Sequence, residues 1–271
     1  MHEILRHLRD GARVLDLGSR SGSFDPGPYP FLTVRLDREC PGGSGSRNFV
    51  QADAARLPFP PTSFDAVISN HSLEHFEDLD GALKEVATVL KPGGTFFAAV
   101  PDSTTLTDRL YRLLARGGGH VNAFSSFREL VRRIEQGTGL RLSAARPLCS
   151  SLSFLNRRNH PSRPPRLLLL LGGGWEPPLR LLNYLFRLSD WLFGTRASLY
   201  GWALYFGPAG EPVSETVWSN VCVRCGAGHP AAGLLASGHV RRGHLFTRHY
   251  HCPHCGARNF FTPDEHFLLL K

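Results

Sequence analysis

The sequence predicts an α/β fold, a largely parallel sheet with helices on its faces, interrupted late by a helical insertion and followed by a small cysteine-rich module. Through the first two thirds, short apolar runs alternate with segments of helical period, the pattern of βαβ units. Between the last two strand runs lie about fifty residues, far beyond an ordinary loop, so that stretch should carry structure of its own. Of the 6 cysteines, Cys222, Cys225, Cys252 and Cys255 form two C-x-x-C pairs near the C-terminus. With 271 residues, 42% hydrophobic and 20% charged, the chain can bury a core, which excludes a peptide, a coiled coil or wholesale disorder.

Arg13–Leu17 reads as a buried strand ending at Gly18, and Phe31–Leu36 as a second ending at Asp37. Phe64–Ser69 and Gly94–Val100 are two more. Between them Leu79, Leu83, Val86 and Leu90 recur at helical spacing, and Lys91-Pro92-Gly93-Gly94 supplies a cationic last turn followed by breakers. Phe127 to Gly137 is an amphipathic helix, with strands expected at Leu140–Ala144 and Tyr200–Phe206. Arg157 to Pro165 is a basic linker, and Pro178 to Phe193 a helix. These readings place one domain at 1–208 with its insertion at 156–198, the cysteine module at 216–262 and a tail at 263–271.

The net charge of +8 is uneven: +1 over residues 1–155, +3 over 156–215 and +4 over 216–271. Nearly all of the basic residues are arginines, which reflects coding bias before it reflects any taste for bidentate anion recognition. The start, Met1 to Arg6, lacks the apolar core and small-residue cleavage site of a secretory signal, so the expectation is a cytoplasmic protein. The greasy run Leu167–Leu171 falls short of a spanning helix.

The segment Val14-Leu15-Asp16-Leu17-Gly18-Ser19-Arg20-Ser21-Gly22 runs a strand into a glycine turn, which lets backbone approach a ligand at the carboxyl edge of a sheet. It lacks the G-x-G-x-x-G spacing of a dinucleotide site. Asp37, at the end of the second strand, can accept from both hydroxyls of a ribose. The series continues through Gln51-Ala52-Asp53-Ala54-Ala55-Arg56-Leu57-Pro58-Phe59, Ser63 to Val67, Ser72-Leu73-Glu74-His75-Phe76 and Val89 to Gly94. In this order the motifs resemble those of the class I S-adenosylmethionine-dependent methyltransferases, in particular the small-molecule group of methyltransferase type 11. The resemblance is detailed over residues 13–100 and architectural over about 10–207.

That resemblance implies a Rossmann-like seven-stranded sheet and S-adenosylmethionine as cofactor. It implies that Asp16, Gly18, Ser19, Arg20 and Gly22 frame the methionine moiety and that Asp37 binds the ribose. Asp53 would hold the adenine amino group, with Ala54, Leu57 and Phe59 near the ring, and Asn70 would end the fourth strand beside the sulfonium. His71, Glu74 and His75 would face the acceptor, and His75, then His120, are the candidates for a general base. Arg20 departs from the family, which usually has glycine there. If the backbone needs positive φ, arginine costs roughly 1 to 2 kcal/mol; if not, its guanidinium could pair with the cofactor's carboxylate.

The pairs Cys222-x-x-Cys225 and Cys252-x-x-Cys255 are each followed by glycine, Gly226 and Gly256. Two thiolates at this spacing grip one ion from one turn, and two such turns close a tetrahedron, so the module resembles a zinc ribbon with a structural zinc. His229, His251 and His254 read as surface residues, the alternative being that one of them replaces a cysteine as ligand.

On the helix at 178–193, Arg180, Asn183, Arg187 and Asp190 form one narrow polar stripe, and the wide apolar remainder needs a cover. It is either a lid on the catalytic core or, through residues 166–195, a peripheral contact with a membrane, where Arg157, Arg158, Arg163 and Arg166 would meet anionic head groups. The expected activity is methyl transfer to an oxygen, nitrogen or carbon nucleophile, with a hydrophobic or lipid-linked acceptor in view. The competing class is a methyltransferase-like adaptor whose ribbon engages nucleic acid or protein. Against nucleic acid, the tail lacks interleaved basic and aromatic residues along one strand face.

Overall fold

The structure, a computed structural model, describes residues 2–20, 22–40, 48–114, 120–159, 175–208, 213–243 and 247–263. The run Leu167–Leu171, Arg163, Arg166, Ser21 and the tail from 264 onward lie outside the described residues. The helices are α1 (His2–His7), α2 (Leu79–Val89), α3 (Leu106–Leu114), α4 (Phe127–Thr138), α5 (Glu176–Phe193) and α6 (Ala231–Ala236). The strands are β1 (Arg13–Leu17), β2 (Leu32–Asp37), β3 (Phe49–Gln51), β4 (Phe64–Asn70), β5 (Leu90–Pro101), β6 (Leu142–Cys149) and β7 (Leu199–Phe206), then β8 (Asn220–Val221), β9 (Gly228–His229), β10 (Val240–Arg242), β11 (Arg248–His251) and β12 (Arg258–Phe260). They fall into two compact units: residues 1–102, 120–146 and 202–215 form the first, and 103–119, 147–201 and 216–271 the second.

Unit 1 is built on a seven-stranded sheet in the order β3-β2-β1-β4-β5-β7-β6. β1 pairs in parallel with both β2 and β4, and β4 with β5. The chain therefore winds outward from β1 in one direction and from β4 in the other, a Rossmann-like arrangement. The crevice between the carboxyl ends of β1 and β4 is where such sheets take ligands. β1 is buried from Val14 to Leu17, as a strand covered on both faces must be, which leaves the Asp16 carboxyl inside.

The covering helices follow ordinary rules. α2 starts where the Asp78 side chain accepts from Gly81 N at 2.8 Å, and it buries Leu79, Ala82, Leu83, Val86 and Val89. α4 starts at the Ser126 cap and stops at Gly139, whose φ of +70° suits glycine. At Gly137 a Cβ would stand 2.6 Å from Leu83 Cβ, so the absent side chain is what lets α4 approach α2. The breaker Lys91-Pro92-Gly93-Gly94 does not stand before the strand but within β5. Phe64 pairs with Leu90 and Ala66 with Thr95, so the four residues are absorbed as a register shift. β6 begins two residues later than expected and runs on to Cys149.

Unit 2 contains α3, α5, α6, the antiparallel sheet β10-β11-β12 and the β8–β9 pair. Its small cores include Leu114, Leu152, Leu155, Leu179 and Val223 in one group, and Cys222, Ala231, Leu234, Tyr250, Cys252, Ala257 and Phe261 in another. The helix of the long insertion and the cysteine module thus share one unit. Glu176 at the start of α5 takes both forks of the Arg224 guanidinium, at 2.6 and 2.9 Å, and Tyr184 lies against Phe260 with ring centroids 4.8 Å apart.

α5 is turned the opposite way from α2. Its polar stripe faces inward: Asn183, Arg187 and Asp190 are 2%, 2% and 3% exposed, while Leu181, Leu185 and Leu192 are 51%, 47% and 54% exposed. Among the described residues the apolar face is left open to solvent, and hydrogen bonding gives the reason that the polar stripe turns inward. Asn183 Nδ2 donates to Ser151 O at 2.5 Å, and Arg187 Nη2 reaches Ser150 O and Val221 O at 3.4 and 3.5 Å. The Asp190 carboxylate accepts from Thr195 Oγ1, Ala197 N, Ser198 N and Ser198 Oγ, at 2.5 to 2.9 Å. Loop backbone with no strand partner needs such donors and acceptors once buried. Among the described residues, no helix is long and apolar enough to cross a membrane.

Candidate active site

The site gathers at the carboxyl ends of β1, β2 and β4, all in unit 1. Beyond β1, Gly18 has φ +68° and a Cβ there would collide with Ser72, so only glycine lets the turn pass. Ser72 is fixed in turn, its Oγ donating to Leu17 O at 2.9 Å and lying 2.6 Å from Ser69 Oγ. The amides of Gly18 and Ser19 both donate to Leu36 O, at 2.8 and 3.1 Å. Gly22, at φ +114°, leaves room for the Arg35 guanidinium, which would stand 2.7 Å from a Cβ.

Asp16 is fully buried behind this turn, and burial raises its carboxyl above the usual aspartate range despite the Ser23 hydrogen bond and the nearby Arg35. Its Oδ2 accepts from Ser23 N at 2.8 Å, whereas Oδ1 and the Ser19 Oγ have no hydrogen-bond partner among the described residues. A buried carboxylate oxygen of this kind needs a donor, and the ammonium of a methionine moiety is a fitting one.

Asp37 accepts from Arg20 N at 2.8 Å through Oδ2 and from Glu39 N at 3.1 Å through Oδ1. A carboxylate has about four acceptor positions, so both oxygens keep capacity for a pair of hydroxyls. Ala52 N donates to Asp37 O, which ties the following loop to the same edge. There the Asp53 side chain accepts from Ala55 N at 3.0 Å, and Ala54 and Leu57 are buried in the main core. Arg20, at φ +43°, occupies the left-handed region while its side chain stays exposed. Its structural contribution is the amide given to Asp37. The cation beside the glycine turn is Arg35, which sequence reasoning missed; its signal was an arginine at an inner register of β2, paired with Asp16.

Asn70 ends β4, opposite Ala99 of β5. His71 follows at φ +55°, its amide donating to Ala99 O at 2.9 Å. A single 3₁₀ turn, Leu73–His75, then presents Glu74 and His75. The donor atoms of Glu74, His75 and His120 all lie within 4.8 Å of one another, and the His75 and His120 ring centroids are 5.1 Å apart. His71 Nδ1 is 3.8 Å from Glu74 Oε1. Burial, then the neighbouring His120 and His75, lower the His71 pKa to about 4, so its ring is neutral at physiological pH. Sequence separation hid the role of Asn122: its amide donates to Glu74 O, and its Nδ2 to Leu73 O and Phe76 O, at 2.7 to 3.1 Å. That clamp brings His120 to the turn.

In unit 2 the four paired cysteines form one cluster, their sulfurs all within 4.8 Å. Cys222 and Cys255 sulfurs are 3.6 Å apart, and those of Cys225 and Cys252 are 3.7 Å apart. These are not disulfide lengths; a tetrahedron of ~2.3 Å metal–sulfur bonds has edges of about 3.8 Å. The two turns repeat each other: Gly226 N donates to Cys222 O and Cys222 N to Ala227 O, as Gly256 N does to Cys252 O and Cys252 N to Ala257 O. Both glycines are left-handed, at φ +74° and +71°. His229 Nε2 lies 3.3 Å from Cys252 Sγ, nearer the cluster than a surface histidine.

Residues 33–98 match a family described as a methyltransferase domain. The malonyl-[acyl-carrier protein] O-methyltransferase of Methylococcus capsulatus is 31% identical over 61% of this chain and 70% of its own length. The ubiquinone/menaquinone biosynthesis C-methyltransferase UbiE of Pasteurella multocida is 38% identical over 32% of this chain, which spans 39% of that relative. Among solved structures, the YcgJ protein of Bacillus subtilis aligns with a TM-score of 0.49 at 21% identity, over 78% of this chain and 100% of that one. The chain belongs to the class I S-adenosylmethionine-dependent methyltransferases.

Proposed function

We propose that the chain methylates an O, N or C nucleophile on a hydrophobic or lipid-linked acceptor, with a structural zinc holding unit 2. The observation that carries the cofactor site is the cradle around Asp16, a buried carboxylate with one unpartnered oxygen beside a glycine turn that admits backbone contact. When bound, S-adenosylmethionine supplies a sulfonium methyl already poised for displacement. Asp16 would bind its ammonium and the Arg35 guanidinium its carboxylate. Asp37 would take the ribose hydroxyls and Asp53 the adenine amino group, against Ala54 and Leu57, with Asn70 beside the reacting centre. His75 or His120 would take the acceptor's proton, and positioning would supply the rest of the rate.

Acyl carrier protein and ubiquinone/menaquinone in the relatives' names motivate the choice of acceptors. The test offers labelled methyl donor with lipid extract, acyl carrier protein thioesters and polar small molecules. Label should enter the lipid or acyl fraction. His75→Ala and His120→Ala should slow transfer, the proton acceptor by about 10²- to 10⁴-fold, at unchanged cofactor affinity. Transfer confined to polar small molecules would overturn the acceptor assignment. For the metal, the sulfur spacing is the support, and metal analysis should return one zinc per chain.

A further inference from the structure

We propose that the outward face of α5 seats unit 2 on an anionic lipid surface. On this helix the usual division of labour is reversed. Asn183, Arg187 and Asp190 are spent inward on the loops at 150–151 and 195–198 and on Val221, and Leu179 fills the adjacent core. Leu181, Leu185, Leu188 and Leu192 fall at offsets of 0, 4, 7 and 11, one ridge on the opposite side. Trp175 and Phe193 stand exposed at its two ends, 66% and 77%. A helix of this length lying flat can bury such a ridge at the boundary between head groups and acyl chains, where aromatic residues also settle.

Charge selects the occupant. Counted over the full sequence, unit 2 carries 16 basic and 5 acidic side chains, a net +11, while unit 1 carries 15 and 18, a net −3. The positive charge is thus concentrated in the unit that bears the ridge. Arg157 and Arg158 are exposed, with Arg158 Nε also 3.7 Å from Glu176 Oε1, and that carboxylate, the one acidic group of the helix start, is already neutralised by both forks of Arg224. An anionic bilayer answers both features, whereas a second copy would bring like-charged units together and a nucleic acid would find nothing to bind in a leucine ridge. This inference rests on no assignment of the acceptor.

The experiment is flotation of the full chain with vesicles of phosphatidylcholine alone and of phosphatidylcholine with phosphatidylglycerol. Binding to the anionic vesicles should exceed that to the neutral ones at least tenfold and weaken as salt is raised. Leu185→Asp and Leu192→Asp should each lower it at least tenfold, and the milder pair Leu181→Gln with Leu185→Gln several-fold. Helix content and metal should be unchanged, since these side chains touch solvent. Wild-type binding in those variants, or equal partition to both vesicle types, would overturn the proposal. So would a stable dimer in light scattering that Leu185→Asp dissolves, or binding of RNA indifferent to the leucine changes.

Discussion

α2 and α5 have the same period and opposite orientations. α2 buries Leu79, Leu83 and Val86 and leaves Asp80 and Lys84 outside, whereas α5 buries Asn183, Arg187 and Asp190 beside Leu179 and leaves Leu181, Leu185 and Leu192 outside. The difference lies in what each helix packs against. A parallel sheet has satisfied its backbone groups internally and offers a dry apolar face, so an apolar stripe is the favourable partner. The loops and two-residue strands beneath α5 have not, and they call for donors and acceptors. Periodicity therefore identifies an amphipathic helix without saying which stripe points inward. The hydrogen-bonding state of the neighbouring backbone decides that.

The comparison breaks first at the four-cysteine cluster proposed to hold zinc. Cys252→Ser should unfold the module and release α5 with it, because Glu176 and Tyr184 hold the helix to Arg224 and Phe260. Structural zinc sites contribute on the order of 10 kcal/mol, far more than a small core can replace. Hydrogen exchange should rise across 176–193 and 220–260 and stay low in β1, β4 and β5. A second contrast follows from the two orientations. Leu83→Ala should cost about 2 to 5 kcal/mol and Asp190→Ala about 3, whereas Leu185→Ala should stay within about 0.5 by thermal or urea unfolding.

Asp16 sets stability against binding within unit 1. Because burial raises its pKa, the folded carboxyl is stable when neutral, and that stability is lost as pH climbs through the raised value. The cofactor-free Asp16→Asn variant should match the wild type below the ordinary aspartate range and melt higher at neutral pH, while binding S-adenosylmethionine more weakly. The smallest effect belongs to Arg20. Arg20→Gly relieves a left-handed arginine but loosens the unfolded chain, so stability should change by no more than about 1 kcal/mol, and affinity should hold because the amide to Asp37 remains.

Much of unit 1 was legible from the chain alone. The glycine turn, the acidic ends of β2 and the loop after β3, and the Glu74-His75 turn are local in sequence, and a parallel sheet gathers such strand ends without further information. Arg35 and Asn122 were not legible, because one acts through a backbone vacancy at Gly22 and the other clamps a turn 46 to 49 residues away. In unit 2 the cysteine spacing revealed the twin turns, each closed by its left-handed glycine. What composition could not reveal is that the insertion helix and the module fold together, since that depends on partners such as Asn156 and Val223, 67 residues apart.

The division of labour between the units rests on the cofactor cradle, and calorimetric titration of S-adenosylmethionine into the full chain and its Asp37→Ala variant tests it most directly. One site per chain is predicted for the wild type, with roughly ten- to hundredfold weaker binding in the variant, the loss of a charged hydrogen-bond acceptor worth about 1.5 to 3 kcal/mol. Absence of binding to the wild type, or equal affinity in both proteins, would contradict the account.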